Sequence, residues 1–214
     1  GSWGAANTTV SVDRACTTLL ERVRAVAGTT YNDLFAEVRR HFPDGIEAIG
    51  KQVGGSDDPN YKTWSQYTYG ASFAEVGVDI DTGEVRLRRM LGVFAAGRIL
   101  NRKTARSQLI GGMIWGVGAA LHENAAIDPR FGSWVNGDFA EYLIPTHADI
   151  PDIDAIMLDD FDDKANHLGV KGIGELGAGG TGGSVANAVY NATGIRIRDF
   201  PITLAQLLPH LPDR

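Results

Sequence analysis

The sequence predicts an α+β fold, and three observations carry that reading. Apolar residues at helical spacing fill the first forty positions, a two-strand pattern with a tight turn follows near residues 67–93, and the later elements do not alternate as strand, helix, strand. Helices packed on an antiparallel or mixed sheet fit that order better than a doubly wound parallel sheet.

Val12, Ala15, Cys16, Leu19, Leu20 and Val23 share a helical face within 10–26, with Gly28 as the stop. Asn7, Thr8 and Thr9 are its candidate caps, since their side chains can accept from free N–H groups. Tyr31, Leu34, Phe35 and Val38 repeat the pattern before Pro43, and a polar, glycine-rich connection covers 54–60. Residues 67–79 alternate, 85–93 are rich in Val, Leu and Met, and Asp81-Thr82-Gly83 between them makes a hairpin. Arg86, Arg88 and Arg89 then fall on an exposed edge strand, although a partner or a phosphate would also suit them.

Residues 104–123 predict a long, buried helix, because Leu109, Ile110, Met113, Ile114, Trp115 and Val117 are too continuous for a loop. Gly111, Gly112, Gly116 and Gly118 each cost that helix about 1 kcal/mol against alanine, so a sheet, another backbone or a cofactor should press against it. A short strand at 155–158, a helix at 183–192 and a short helix at 204–208 complete the series, with possible subdomains of about 1–100 and 101–214.

Composition narrows the function classes. The 214 residues are 43% hydrophobic and 21% charged with a net charge of -6, which describes a globular chain ill-suited to nucleic acid or an anionic membrane surface. No stretch reaches the roughly 18 apolar residues of a membrane span. One cysteine, Cys16, rules out an internal disulfide and makes a reducing compartment the default. That implies the cytoplasm, with the periplasm as the other option. The five histidines are scattered, His122-Glu123 lacks the second histidine of a zincin, and the aspartates from Asp149 to Asp163 lack calcium-loop spacing and read as a solvated face. Protein metal ligands are therefore not expected.

Twenty-seven glycines in 214 residues are nearly twice the usual share of about 7%. They concentrate at 169–183, where Gly172, Gly174 and Gly177 spell a G-x-G-x-x-G. The dinucleotide fingerprint needs a strand running into its first glycine, and here a charged loop precedes it. Glu175 is the more informative residue. With glycine close on both sides it has little side-chain cover and sits where backbone can approach a ligand, which suits a general base; a surface glutamate in a loop fits the same composition.

Lys171-Gly172-Ile173-Gly174-Glu175 resembles the segment carrying the catalytic glutamate in the molybdenum-binding subunit of the xanthine dehydrogenase and aldehyde oxidase family. Residues 107–123 are similar to that family's Gln-x-x-Gly-Gly-x-x-x-Gly-x-Gly helix, 138–145 resemble its Tyr-x-Ile-Pro segment, and Gly1-Ser2-Trp3 looks like its small-residue turn before a helix. The resemblance implies the C-terminal portion of a longer subunit that hydroxylates an aldehyde or N-heterocycle with water as oxygen source. It implies Glu175 as the base and Gln108, Gly1, Ser2, Lys171, Gly172 and Gly174 as contacts to molybdopterin, a cofactor often present in bacteria as its cytosine dinucleotide. The implied partners are the N-terminal half of the molybdenum domain, iron-sulfur and FAD modules and a small-molecule substrate. One wall alone should bind no cofactor and show no hydroxylase activity. A non-catalytic binding or assembly module that keeps the fold is the competing class. Leu176 stands where the family often has proline, which points to a branch with a different substrate.

Overall fold

The computed structural model describes residues 2–30, 32–53 and 58–212. They form two compact units, one made of Ser2–Tyr67 and Phe161–Gly172, the other of Thr68–Asp160 with the described part of Ile173–Arg214. The division falls at residue 68 rather than near residue 100. Strand pairing and helix packing keep residues on both sides of position 100 in one core.

In the first unit, helix α1 spans Gly4–Ala27 and buries Val10 and Val23. It starts earlier than the apolar spacing predicts, since Ala5 and Ala6 are strong helix formers. Asn7, Thr8 and Thr9 consequently lie inside the helix instead of capping it, and Thr9 Oγ1 donates back to the Ala5 carbonyl at 2.6 Å. Helix α2, Leu34–His41, is capped by Asp33, whose side chain accepts from the Phe35 and Ala36 amides at 2.9 and 3.1 Å. Tyr31, expected in this helix, lies outside the described residues, as do positions 54–57 of the polar connection. Asp58 caps a short helix α3, Pro59–Thr63, with proline in its first turn where no N–H is needed.

In the second unit, strands β1 (Tyr69–Val78) and β2 (Val85–Ala95) form the expected antiparallel hairpin. Asp79 Oδ1 accepts from the Asp81 and Thr82 amides at 2.9 Å, and Gly83 supplies the positive φ of 73° that closes the turn. Helix α4, Arg102–Leu121, crosses to the strand β5, Ile153–Met157, which pairs parallel to β2. The sheet is therefore mixed, in the order β1-β2-β5. β2 is its central strand, but β5 pairs only with Met90–Phe94, so Arg86, Arg88 and Arg89 lie exposed on the stretch of β2 that pairs with β1 alone; Arg86 pairs with Glu84 and Arg89 with Glu75. A small hairpin, β3 (Ile127–Asp128) and β4 (Ser133–Trp134), lies between α4 and β5.

One face of the sheet meets α4 through Leu87, Met90, Phe94 and Ala155 against Leu109, Met113 and Val117, joined by Val185 of helix α5, Thr181–Thr193. A second cluster joins Ala186 and Val189 to Ile202 and to Leu207 of helix α6, Leu204–Leu207. Leu109 and Met113 are fully buried, so truncating either to alanine should cost about 2–5 kcal/mol.

Candidate functional site

Glu175 sits on the turn that precedes α5 and packs against α4 within the sheet unit, and five contacts fix that turn. Gln108 Nε2 donates to the Gly174 carbonyl at 2.8 Å. Leu176 packs against the core cluster. Gly177 lies so close to the Leu109 carbonyl that a Cβ there would collide with it, and a Cβ on Gly112 would stand 2.9 Å from the Ala178 nitrogen. Thr181 Oγ1, fully buried, donates to the Gly177 carbonyl at 2.9 Å. Two glycine-bearing backbones thus touch where side chains would hold them apart. The glycines of α4 answer the sequence question unequally. Gly112 admits the turn's backbone and Gly116 the Thr181 side chain, whereas Gly111 faces outward with no atom within 4 Å of its would-be Cβ.

Glu175 is exposed beside this anchored turn, and its carbonyl accepts from the Ala178 amide at 3.2 Å. Gln108 and Gly111 are three residues apart on α4 and so share its outward face. A carboxylate, a carboxamide and bare helix backbone are presented by adjoining pieces of one unit.

The other expected contacts belong to the first unit, except Gly1, which lies outside the described residues. Ser2 and Gly172, 170 positions apart in sequence, meet there: a Cβ on Gly172 would run into the Ser2 carbonyl. Lys171 is largely buried, with Nζ 3.1 Å from Asp162 Oδ2 and donating to the Tyr67 carbonyl at 3.0 Å. Burial alone pushes the Asp162 carboxyl up, but the hydrogen bond and charge of Lys171, aided by the Ala165 and Lys164 amides, hold it below the usual carboxylate range. The acidic run is thus no uniform solvated face. Asp160 accepts from the Gly97 amide at 3.1 Å, and Asp154 pairs with Arg106 at 2.7 Å.

One relationship was not legible from single motifs. Tyr142 donates its phenol to Glu123 Oε2 at 2.8 Å, joining the 138–145 segment to the end of α4. Gly118 makes room, since a Cβ there would strike the Glu123 carboxylate and approach Pro145 Cδ to 3.0 Å. Glu123's hydrogen bond raises the Tyr142 phenol above its ordinary range. Tyr142 also lines an open groove of about 640 Å³ with Trp134, Asn136 and Phe139, which contains none of the expected site residues.

Residues 1–151 match the family described as the molybdopterin cofactor-binding domain. The chain belongs to this family. The segment containing Glu175 lies beyond those residues but within the alignment to a relative, the aldehyde oxidoreductase molybdenum-binding subunit PaoC of Escherichia coli K12, which is 46% identical over the whole of this chain. The putative xanthine dehydrogenase molybdenum-binding subunit XdhA of the same organism is 33% identical over 65% of the chain. Among solved structures, the aldehyde oxidoreductase of Desulfovibrio desulfuricans superposes with a TM-score of 0.78 at 27% identity, covering 96% of this chain and 22% of that one. Quinoline 2-oxidoreductase of Pseudomonas putida 86 gives 0.59 at 29% identity, over 64% of this chain and 18% of that one. The mixed sheet with its packed helices is therefore the architecture of molybdenum-enzyme domains. The chain spans 30% of the length of PaoC. Among the described residues no helix is long and apolar enough to cross a membrane.

Proposed function

We propose that this chain forms one wall of a molybdenum hydroxylase active site that oxidises an aldehyde or an N-heterocycle, with Glu175 as general base. The observation carrying this reading is the anchored turn: Glu175 stands exposed on a segment held to α4 by Gln108 and Gly177 and to α5 by Thr181. A base must be held within hydrogen-bond reach of its proton, and a turn with so little freedom serves that need.

The residues fit molybdopterin on the side the structure describes. Gln108 offers a carboxamide and Gly111 an open stretch of helix backbone, and both suit a flat, polar pterin edge. Gly174 holds the turn through its carbonyl, while Ser2 and Gly172 meet within their own unit and Lys171 secures the segment leading to Gly172. When bound, molybdopterin, in its cytosine dinucleotide form in many bacteria, supplies the metal that takes up two electrons. Glu175 would accept, at a carboxylate oxygen, a proton from the water molecule whose own oxygen adds to the substrate carbon. An aldehyde and water thereby become a carboxylic acid, two protons and two electrons. The electrons pass to iron-sulfur and FAD modules, and the N-terminal half of the molybdenum domain closes the site.

The test is Glu175→Gln in the molybdenum-loaded enzyme containing this chain. The amide keeps size and polarity but cannot take the proton. Cofactor content should persist while turnover per molybdenum falls about 10²- to 10⁴-fold. Wild-type turnover in the variant would remove Glu175 as the base.

A further inference from the structure

The three-stranded sheet has an outer face that differs from the one covered by α4. Strand register sets Phe73 beside Leu91 and Asp154, and Ala71 beside Val93 and Ile156. Residues in register and two apart along a strand share one face. It lies opposite Met90, Phe94 and Ala155, which are buried in the core. Phe73 is 60% and Ile156 47% exposed, while Leu91 and Val93 at the centre are half-buried. At the margins Glu75 pairs with Arg89 at 3.5 Å and Asp154 with Arg106 at 2.7 Å. The face is apolar in the middle, with these paired charges at its margins and the Arg88 guanidinium lying over Gly77 beyond Glu75.

We propose that this outer face docks the part of a molybdenum-binding subunit that this chain does not contain, through an uncharged, apolar element laid over Phe73, Leu91, Val93 and Ile156. A sheet that leaves one face in water ordinarily turns polar residues to it, and here Phe73, Leu91, Val93 and Ile156 occupy the outer face instead. Phe73, Leu91, Val93 and Ile156 carry no charge, so the middle of the face suits an apolar element better than a phosphate or a strongly charged partner. The whole chain aligns to 30% of PaoC, so most of that subunit lies outside the match and is available to cover the face. The inference rests on the reading of the chain as part of a molybdenum enzyme, and it adds the surface through which the pieces join.

The test co-expresses the tagged 214-residue chain with E. coli PaoC lacking the matching region, and measures partner retention and molybdenum content separately. The wild-type chain should retain the partner. Phe73→Glu combined with Ile156→Glu should lower retention at least tenfold with an unchanged denaturation midpoint. Ala71→Arg places bulk and charge on the same face while removing no packed side chain, and it should act alike if the double variant unfolds. No retention by the wild type, undiminished retention by the folded variants, or a homodimer of the chain that these substitutions dissolve would each overturn the proposal. Retention through this face without molybdenum would count against the functional reading alone. A molybdenum-loaded complex indifferent to the substitutions would count against the docking face alone.

Discussion

Gln108 Nε2 reaches 66 residues along the chain to the Gly174 carbonyl, at 2.8 Å, and so ties the outward face of α4 to the turn carrying Glu175. Gln108 therefore has a structural task within the unit as well as any contact to a cofactor. Gln108→Ala should lower the stability of the chain by about 0.5–1.5 kcal/mol, the net worth of one hydrogen bond. Amide exchange at residues 174–177 should quicken while that of β2 stays slow. In the loaded enzyme the same change should lower molybdenum content before it touches the proton-transfer step. Equal exchange rates in both proteins would show that the bond does not order the turn.

Gly111 of α4 and Gly177 of the turn packed against it give opposite expectations. Gly111→Ala meets no atom within 4 Å and should stabilise the chain by up to about 1 kcal/mol. Gly177→Ala drives its Cβ into the Leu109 carbonyl, a backbone atom of α4 beside the fully buried Leu109 side chain. Overpacking of this kind costs about 1–3 kcal/mol. Chemical denaturation of the two variants checks the contrast in sign. If Gly111 faces the cofactor, its alanine variant should also lower molybdenum loading despite the more stable fold.

Periodicity revealed the elements whose apolar faces are regular: α4, the β1–β2 hairpin and α5 all lie close to where the spacing of Leu109, Met113 and Val117 or of Val185 and Val189 puts them. The start of α1 was not legible, because a helix of Gly4, Ala5 and Ala6 has no apolar stripe to read, and polar Asn7 and Thr8 look like caps. The parallel pairing of β5 with β2 was likewise hidden, since Ile153–Met157 carries the same residues in either direction. In the site, the glycine cluster showed that backbone must come close to something. That Gly112 meets the backbone of Gly177 and Ala178, while Gly111 is open, depends on a helical rotation that composition does not encode.

Tyr142 and Glu123 should be visible in alkaline titration. The phenol hydrogen-bonded to Glu123 is held above the ordinary tyrosine range, so the folded state keeps its proton longer than the unfolded chain. This contribution to stability is complete below the unfolded pKa near 10 and is lost as pH rises through the folded value. Tyr142 should contribute a late-ionising component to the ultraviolet absorbance. Tyr142→Phe should delete that late component, and Glu123→Ala should move it to lower pH. A titration curve unchanged by either substitution would rule out the coupling.

The Lys171–Asp162 pair makes an acid-side prediction with the opposite sign. Asp162 is pushed up by burial and pulled further down by the Lys171 ammonium and two backbone amides, so its net shift is downward. A depressed folded value means that its contribution is fully present above the unfolded pKa near 3.9 and disappears as pH falls through the folded one. Asp162→Asn keeps the shape and the amide contacts but removes the charge facing Lys171, whose side chain is only 9% exposed. The variant should be less stable than wild type at pH 7, and the difference should narrow as pH falls below about 4. Lys171→Met should also destabilise at pH 7, since it leaves the Tyr67 carbonyl without the Nζ donor and Asp162 without its counter-charge. Urea denaturation from pH 7 to pH 2 reads both variants. A constant gap between Asp162→Asn and wild type across that range would mean that the carboxylate charge contributes nothing and that Lys171 holds its segment through the Tyr67 carbonyl.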